Sequence, residues 1–261
     1  ELARSGLELK LLFSGESPNV SWRFYRNLEK FSVLFKHVYV FRGYFSRVTS
    51  GAIFHPFYWP MPESLSSDSL DFEQRNMLVF PASFKERFTL NRNNLFSYLY
   101  FPFRSAQILW FQATDQLARF HDLYSRRMEI VKALADKYDF FLMGRNWEVA
   151  RTRVRSIRNL KFANPPTSFP NMLDVLKTFR FTLAFENCIF PGYVTEKIFD
   201  AMLGGSVPIY LGAPDIEDFV PSGCFIDFRQ YKGVQEMWED VSSWSKQEWE
   251  RYGSDHLGYD E

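Results

Sequence analysis

The strongest constraint on this chain lies between residues 180 and 228, where strand-like and helix-like runs alternate. RFTLAFEN (180–187) reads as a strand, and TEKIFDAMLGG (195–205) as a helix with Thr195 as N-cap and a double-glycine stop. SVPIYLG (206–212) reads as a strand, IEDFV (216–220) as a short helix and CFIDF (224–228) as a further strand. Strand, helix, strand, helix, strand implies a parallel sheet with crossover helices, hence the α/β class. In such sheets ligands sit at the carboxyl ends of the strands.

The rest of the chain extends this pattern. Strands are predicted at LELKLLFSG (7–15), HVYVFRGYF (37–45), NMLVFPAS (76–83), QILWFQATD (107–115) and FFLMG (140–144). Between the last two, DLYSRRMEIVKALADKY (122–138) has helical spacing. Leu123, Ile130, Val131 and Leu134 share one face, and Ser125 is a candidate cap. NMLDVLKTF (171–179) reads as a helix, and 233–251 as a closing helix packed through Trp238, Trp244 and Trp249. The Pro- and Ser-rich segment 53–74 reads as a loop. A length of 261 residues accommodates two domains, with the change expected at 104/105: 1–104 and 105–261.

Composition narrows the function classes. Lys+Arg and Asp+Glu both total 31, so the chain lacks the basic excess of a nucleic-acid binder. Two cysteines, Cys188 and Cys224, form no disulfide scaffold and suit a reducing compartment. The four histidines show no metal-ligand or triad spacing, and no dinucleotide fingerprint or Walker loop is present. No apolar run is long enough to cross a membrane and no signal peptide is visible, although the chain opens at Glu1 rather than Met.

Chemistry concentrates in FENCIFPGYVTEK (185–197), at a strand end and a helix start. A helix N-terminus offers free N–H groups and partial positive charge to a phosphate, and Lys197 adds a full charge. Gly192 permits a sharp turn or close approach to a ligand. Glu196 is an acceptor suited to sugar hydroxyls, Tyr193 supplies a ring and a hydroxyl, and Asn187 both donates and accepts. The plainer reading keeps equal weight: a first-turn glutamate favoured by the dipole, beside a solvated lysine.

The stretch FENCIFPGYVTEKIFDAMLGGSVPIYLGAPDIEDFVPSGCFIDF closely resembles the signature of the α-1,3/1,4-fucosyltransferase family. LYSRRMEIVKALADKYDFFLMGRNW (123–147) is similar to the family's arginine-bearing helix and following strand, and LLFSGESPN (11–19) to its acceptor-side turn. The resemblance implies two Rossmann-like domains facing each other (the GT-B arrangement): an acceptor-side domain over 1–104 and a GDP-sugar domain over 105–261. Family members carry further strands before the Glu16 turn, so it also implies an acceptor-side domain lacking its first strands here.

The implied reaction is inverting transfer of L-fucose from GDP-fucose to a hydroxyl of N-acetylglucosamine or glucose in an oligosaccharide or glycolipid. By that resemblance Glu196 holds the ribose hydroxyls, Lys197 and Arg127 the diphosphate, and Asn187 and Tyr193 line the same pocket. Arg126 stands beside Arg127, leaving open which of the two reaches phosphate. Glu16 is the candidate general base, and Tyr58 and Trp59 are candidate stacking surfaces for an acceptor sugar. No D-x-D pair is present, so the expectation is metal-independent chemistry with GDP-fucose as donor substrate and no cofactor or nucleic-acid partner. Cytoplasmic placement at the inner membrane face, with room for peripheral membrane association, is the bacterial-type expectation. The alternative is a Golgi-lumen enzyme without its anchor. A transferase using another GDP-sugar, and a non-catalytic GDP- or glycan-binding relic, are the competing readings.

Overall fold

The computed structural model describes residues 10–18, 20–47, 51–59, 70–83, 121–147, 150, 152, 155–162 and 170–254. Its strands build two parallel sheets. The smaller runs β1-β2-β3, from β1 (Leu11–Phe13), β2 (His37–Val40) and β3 (Ile53–Pro56). Helices α1 (Trp22–Arg26) and α2 (Leu28–Ser32) follow β1 in the chain, and Trp22, Tyr25 and Leu28 pack with Val38 and Val40 into this unit's core.

The larger sheet has the order β11-β10-β8-β4-β6-β7, all pairs parallel. Its members are β4 (Asn76–Pro81), β6 (Phe140–Met143), β7 (Lys161–Phe162), β8 (Phe179–Phe185), β10 (Val207–Leu211) and β11 (Ile226–Asp227). The connections carry α3 (Tyr124–Ala133), α4 (Pro170–Leu176) and α5 (Glu196–Leu203). A short antiparallel pair, β5 (His121–Asp122) with β9 (Cys188–Ile189), sits apart from both sheets. The chain is therefore α/β with two Rossmann-like parallel units, as the alternating pattern predicts.

Several boundaries differ from the sequence reading. The division expected at 104/105 falls elsewhere, because β4 lies between β8 and β6 in the larger sheet. Its residues Met77, Leu78, Val79 and Phe80 are all buried. A continuous apolar run of this kind belongs in the middle of a parallel sheet, covered on both faces. The two sheets thus divide between β3 and β4.

The helix expected over 122–138 is shorter, with Leu123 rather than Ser125 at the N-cap position. Its predicted face of Leu123, Ile130, Val131 and Leu134 is buried. The closing helix is two helices, α6 (Val234–Ser243) and α7 (Lys246–Ser254). Ser245 starts the second: its N–H donates to Glu248 Oε2 at 2.7 Å, and the Glu248 N–H donates to Ser245 Oγ at 3.3 Å. This reciprocal pair is a capping box, which restarts a helix. The tryptophans do pack: Trp244 lies edge-on to Phe181 at 5.4 Å, and Trp249 Nε1 donates to Arg180 O at 2.8 Å. The strand expected at 107–115 lies outside the described residues.

Candidate active site

β8 delivers the chain to Glu186, whose N–H donates to Leu211 O at the end of β10 (2.8 Å). The Glu186 side chain is completely buried. Its carboxylate accepts from the Thr195 N–H at 2.7 Å, from Thr195 Oγ1 at 2.9 Å and from Lys197 Nζ at 3.0 Å. Thr195 occupies the N-cap position of α5 as predicted, yet its side chain makes no cap bond. The hydroxyl is turned to Glu186 and accepts from Lys197 Nζ at 2.6 Å. Lys197 also reaches Glu196 Oε1 at 3.3 Å.

Burial acts to lower the Lys197 pKa, but the Glu186 and Glu196 charges outweigh it and hold the ammonium above its ordinary value. Glu186 was not selected from the sequence. Its signal was a carboxylate in RFTLAFEN, where burial of the strand on both faces leaves no solvent for a charge.

Arg127 comes to the same place from α3. It is buried, and its Nη2 donates to the carbonyl of Phe185, the last residue of β8. The guanidinium lies 5.4 Å from the Tyr124 ring centre, and its charge is felt at Lys197. Arg126 points elsewhere: it is half-exposed, pairs with Glu129 at 3.2 Å and lies 5.9 Å from the Phe228 ring centre. Two cations seventy residues apart in sequence thus converge at the carboxyl end of one strand.

Asn187 follows Glu186, and its carbonyl accepts from the Leu123 N–H at 3.1 Å, tying the motif to the start of α3. Its Nδ2 donates to Tyr193 Oη at 3.2 Å. The Tyr193 ring is used for packing, buried edge-on against Phe41 at 4.8 Å. Burial and the Glu186 charge push its hydroxyl well above the ordinary tyrosine pKa, so it stays protonated. The same hydroxyl bonds the Ser17 side chain and feels the charge of Glu16. Glu16 is exposed in the turn after β1, and its carbonyl accepts from Tyr25 Oη at 2.9 Å. The turn from the small sheet and the motif from the large one are therefore neighbours.

The motif loop is the physical link between the units. Cys188, Phe190 and Tyr193 are buried in one cluster with Val38, Val40, Phe41 and Tyr44 of the smaller unit. The Gly43 N–H donates to Pro191 O at 3.1 Å. Asp215, after β10, accepts from the Gly192 N–H at 2.8 Å and pairs with Arg42, which also reaches Asp218 at 2.5 Å. The apolar CIF triplet (188–190), read only as part of a strand end, is what docks on the small sheet.

Gly192 has φ +73°, and a Cβ there would stand 2.8 Å from Arg42 Cβ. Gly192→Ala combines left-handed strain with this overlap and is expected to cost about 2 kcal/mol or more in urea unfolding. Unchanged stability would contradict this reading of the loop.

On the acceptor side, Gly15 lies against the rings of Trp59 and Phe57. Trp59 thus flanks the turn that carries Glu16, and exposed Tyr58 faces Phe219 across the two units at 5.9 Å. His55, a weaker acceptor candidate, is paired instead with His37 at 3.0 Å and stacked on Tyr39.

Asp200, buried on α5, has its pKa raised to about 7, first by burial and then by the Glu196 charge, with Lys197 opposing. Its folded pKa exceeds its unfolded one, so its contribution favours folding below about pH 4 and is lost as pH rises through about 7. Asp200→Asn removes that loss. It is expected to raise Tm at pH 8 more than at pH 5, by on the order of 2–4 kcal/mol of relative stability. Equal shifts at both pH values would contradict the assignment.

Among the described residues no group of three or more His, Cys, Asp or Glu is placed to hold a metal ion. No helix among them is long and apolar enough to cross a membrane.

Comparisons with known proteins bear on this geometry. The chain is 41% identical over 83 residues to the alpha-(1,4)-fucosyltransferase of Arabidopsis thaliana, covering 32% of this chain and 19% of that one. It is 38% identical over 69 residues to the Homo sapiens 4-galactosyl-N-acetylglucosaminide 3-alpha-L-fucosyltransferase 9, covering 26% and 19%. The matched stretch thus spans about a fifth of the length of these relatives. The structure of an alpha1,3-fucosyltransferase with GDP aligns at 17% identity and TM-score 0.43, over 94% of this chain and 80% of that one. The C-terminal model of glycosyltransferase family 10 (fucosyltransferase) matches residues 105–254, more than half of the 261. The chain therefore belongs to glycosyltransferase family 10, the fucosyltransferases.

Proposed function

We propose that this chain is an inverting, GT-B-type α-1,3/1,4-fucosyltransferase that moves L-fucose from GDP-fucose to a hydroxyl of N-acetylglucosamine or glucose in an oligosaccharide or glycolipid. The observation that carries the reading is the convergence of Arg127 and Lys197 at the carboxyl end of β8. The bond to the anomeric carbon breaks with its electron pair going to GDP. Negative charge then grows on the diphosphate, and a guanidinium and an ammonium held in a partly dry site stabilise it as it develops. Glu196, less buried than Lys197, is offered to the ribose hydroxyls, with Asn187 and the Tyr193 hydroxyl beside it.

Inversion needs the acceptor oxygen to attack from the face opposite GDP while its proton passes to a base. Glu16 fits that role: it is a carboxylate in a strand-end turn that the Tyr193–Ser17 contact ties to the donor motif. Trp59 beside that turn offers a flat apolar face to the acceptor sugar. Both cysteines are free and buried, which supports a cytoplasmic working place at the inner membrane face. Fractionation that recovers the chain in a lumenal compartment would overturn that placement.

Incubation with GDP-fucose, EDTA and a panel of lactose- and N-acetyllactosamine-type acceptors tests the activity, read as GDP release and glycan mass. The expected result is a fucosylated glycan formed without divalent metal. GDP release with a different mass increment would indicate another GDP-sugar, and GDP binding with no product across the panel would leave a non-catalytic binder.

A further inference from the structure

We infer that Glu186 is a positioning residue for the donor diphosphate: its buried carboxylate fixes the start of α5 and keeps Lys197 both aimed and charged. This rests on the reading above that Lys197 meets the diphosphate. One completely buried side chain accepts from the Thr195 main chain, the Thr195 hydroxyl and the Lys197 ammonium, at 2.7, 2.9 and 3.0 Å. Nine residues separate it from Thr195, so it closes the whole motif loop onto the end of β8. A carboxylate confined in this way is costly unless each acceptor site is used, and here a cation and two donors use it.

The other charged groups around Lys197 do not replace Glu186. Glu196 on α5 is 29% exposed and lies farther away at 3.3 Å, and Asp200 on the same helix has a raised pKa. Arg127 from α3 acts against the lysine's charge. The tyrosines in the field of Glu186, Tyr193 from the loop and Tyr210 from β10, have raised pKa values and remain neutral. With Glu186 neutral, burial and Arg127 would dominate, and the amine would lose its proton at a lower pH.

The test reads Lys197 directly, with no ligand: acetic anhydride labelling as a function of pH, followed by peptide mass spectrometry, with exposed Lys36 as internal reference. In the parent chain the Lys197 inflection is expected above that of Lys36. In Glu186→Gln it is expected to fall by about one pH unit or more, as removal of a neighbouring charge requires. GDP affinity of Glu186→Gln relative to the parent should then decline about tenfold between pH 7 and 9, matching one lost unit of protonation.

Thr195→Val, which keeps the carboxylate, should keep that ratio flat. A merely structural role for Glu186 predicts equal loss at all pH values and no shift in the Lys197 inflection, and either result in a GDP-binding chain overturns the inference. If Glu186→Gln does not fold, the parent decides: a Lys197 inflection at or below that of Lys36 overturns it. A parent that binds no GDP removes the donor-site reading and the diphosphate role with it, an outcome distinct from an unshifted Lys197.

Discussion

Lys197→Ala is expected to weaken GDP binding by about ten- to a hundredfold, the worth of a hydrogen bond to a charged group. Turnover at saturating donor should fall by a further 10²–10³-fold, roughly the effect of removing one group that meets developing charge. Two features of Lys197 set these magnitudes. Its ammonium is only 17% exposed and its charge is held up by Glu186 and Glu196, so it meets an arriving phosphate with little water to displace. Arg127 is the second cation at the strand end, so donor binding should weaken without vanishing.

The substitution also leaves Glu186 buried without its cation, a loss of about 3–5 kcal/mol for a broken buried pair. Binding and rates must therefore be compared at a temperature where thermal unfolding shows the variant folded. Lys197→Arg, which keeps the charge, should recover part of the binding. A folded Lys197→Ala chain with parental turnover would remove the phosphate role.

Glu16→Gln is expected to show the opposite division. GDP affinity should stay within about twofold of the parent while transfer falls by about 10²–10⁴-fold, the range for loss of a general base. The structure supports this separation, because Glu16 is exposed in a turn of the small sheet while the diphosphate groups gather at the end of the large one. The link between them is indirect, through Ser17 and the Tyr193 hydroxyl. The variant keeps the turn itself, since Tyr25 bonds the Glu16 main chain rather than its side chain. Equal loss of GDP binding and transfer would make Glu16 structural.

Much of the donor side was legible because its signals are local. The alternation from Arg180 to Phe228 gave a parallel sheet, the Gly204-Gly205 pair a helix stop, and Leu123, Ile130, Val131 and Leu134 a buried helix face. Arg127, Asn187, Tyr193, Glu196 and Lys197 were found through the motif, and the fold brings all five around the strand end. What local pattern could not show is pairing across the chain. β4 joins the large sheet only because partners a hundred residues later cover both its faces. Glu186 looked like a strand-end acid until burial made it the partner of Thr195 and Lys197. Tyr193 looked like a ligand-facing ring until Phe41 of the other unit was found against it. The CIF triplet carries no periodicity, so its docking on Val38 and Val40 was invisible in one dimension.

The central claim is that Arg127 and Lys197 form a diphosphate site at the end of β8. The most direct test is calorimetric titration of the unaltered chain with GDP and, separately, with GMP. The account predicts saturable GDP binding, GMP weaker by about tenfold or more for the lost charge-assisted contacts, and a GDP-over-GMP preference that shrinks in Lys197→Ala. No GDP binding, or equal binding of GDP and GMP by a folded chain, would contradict it.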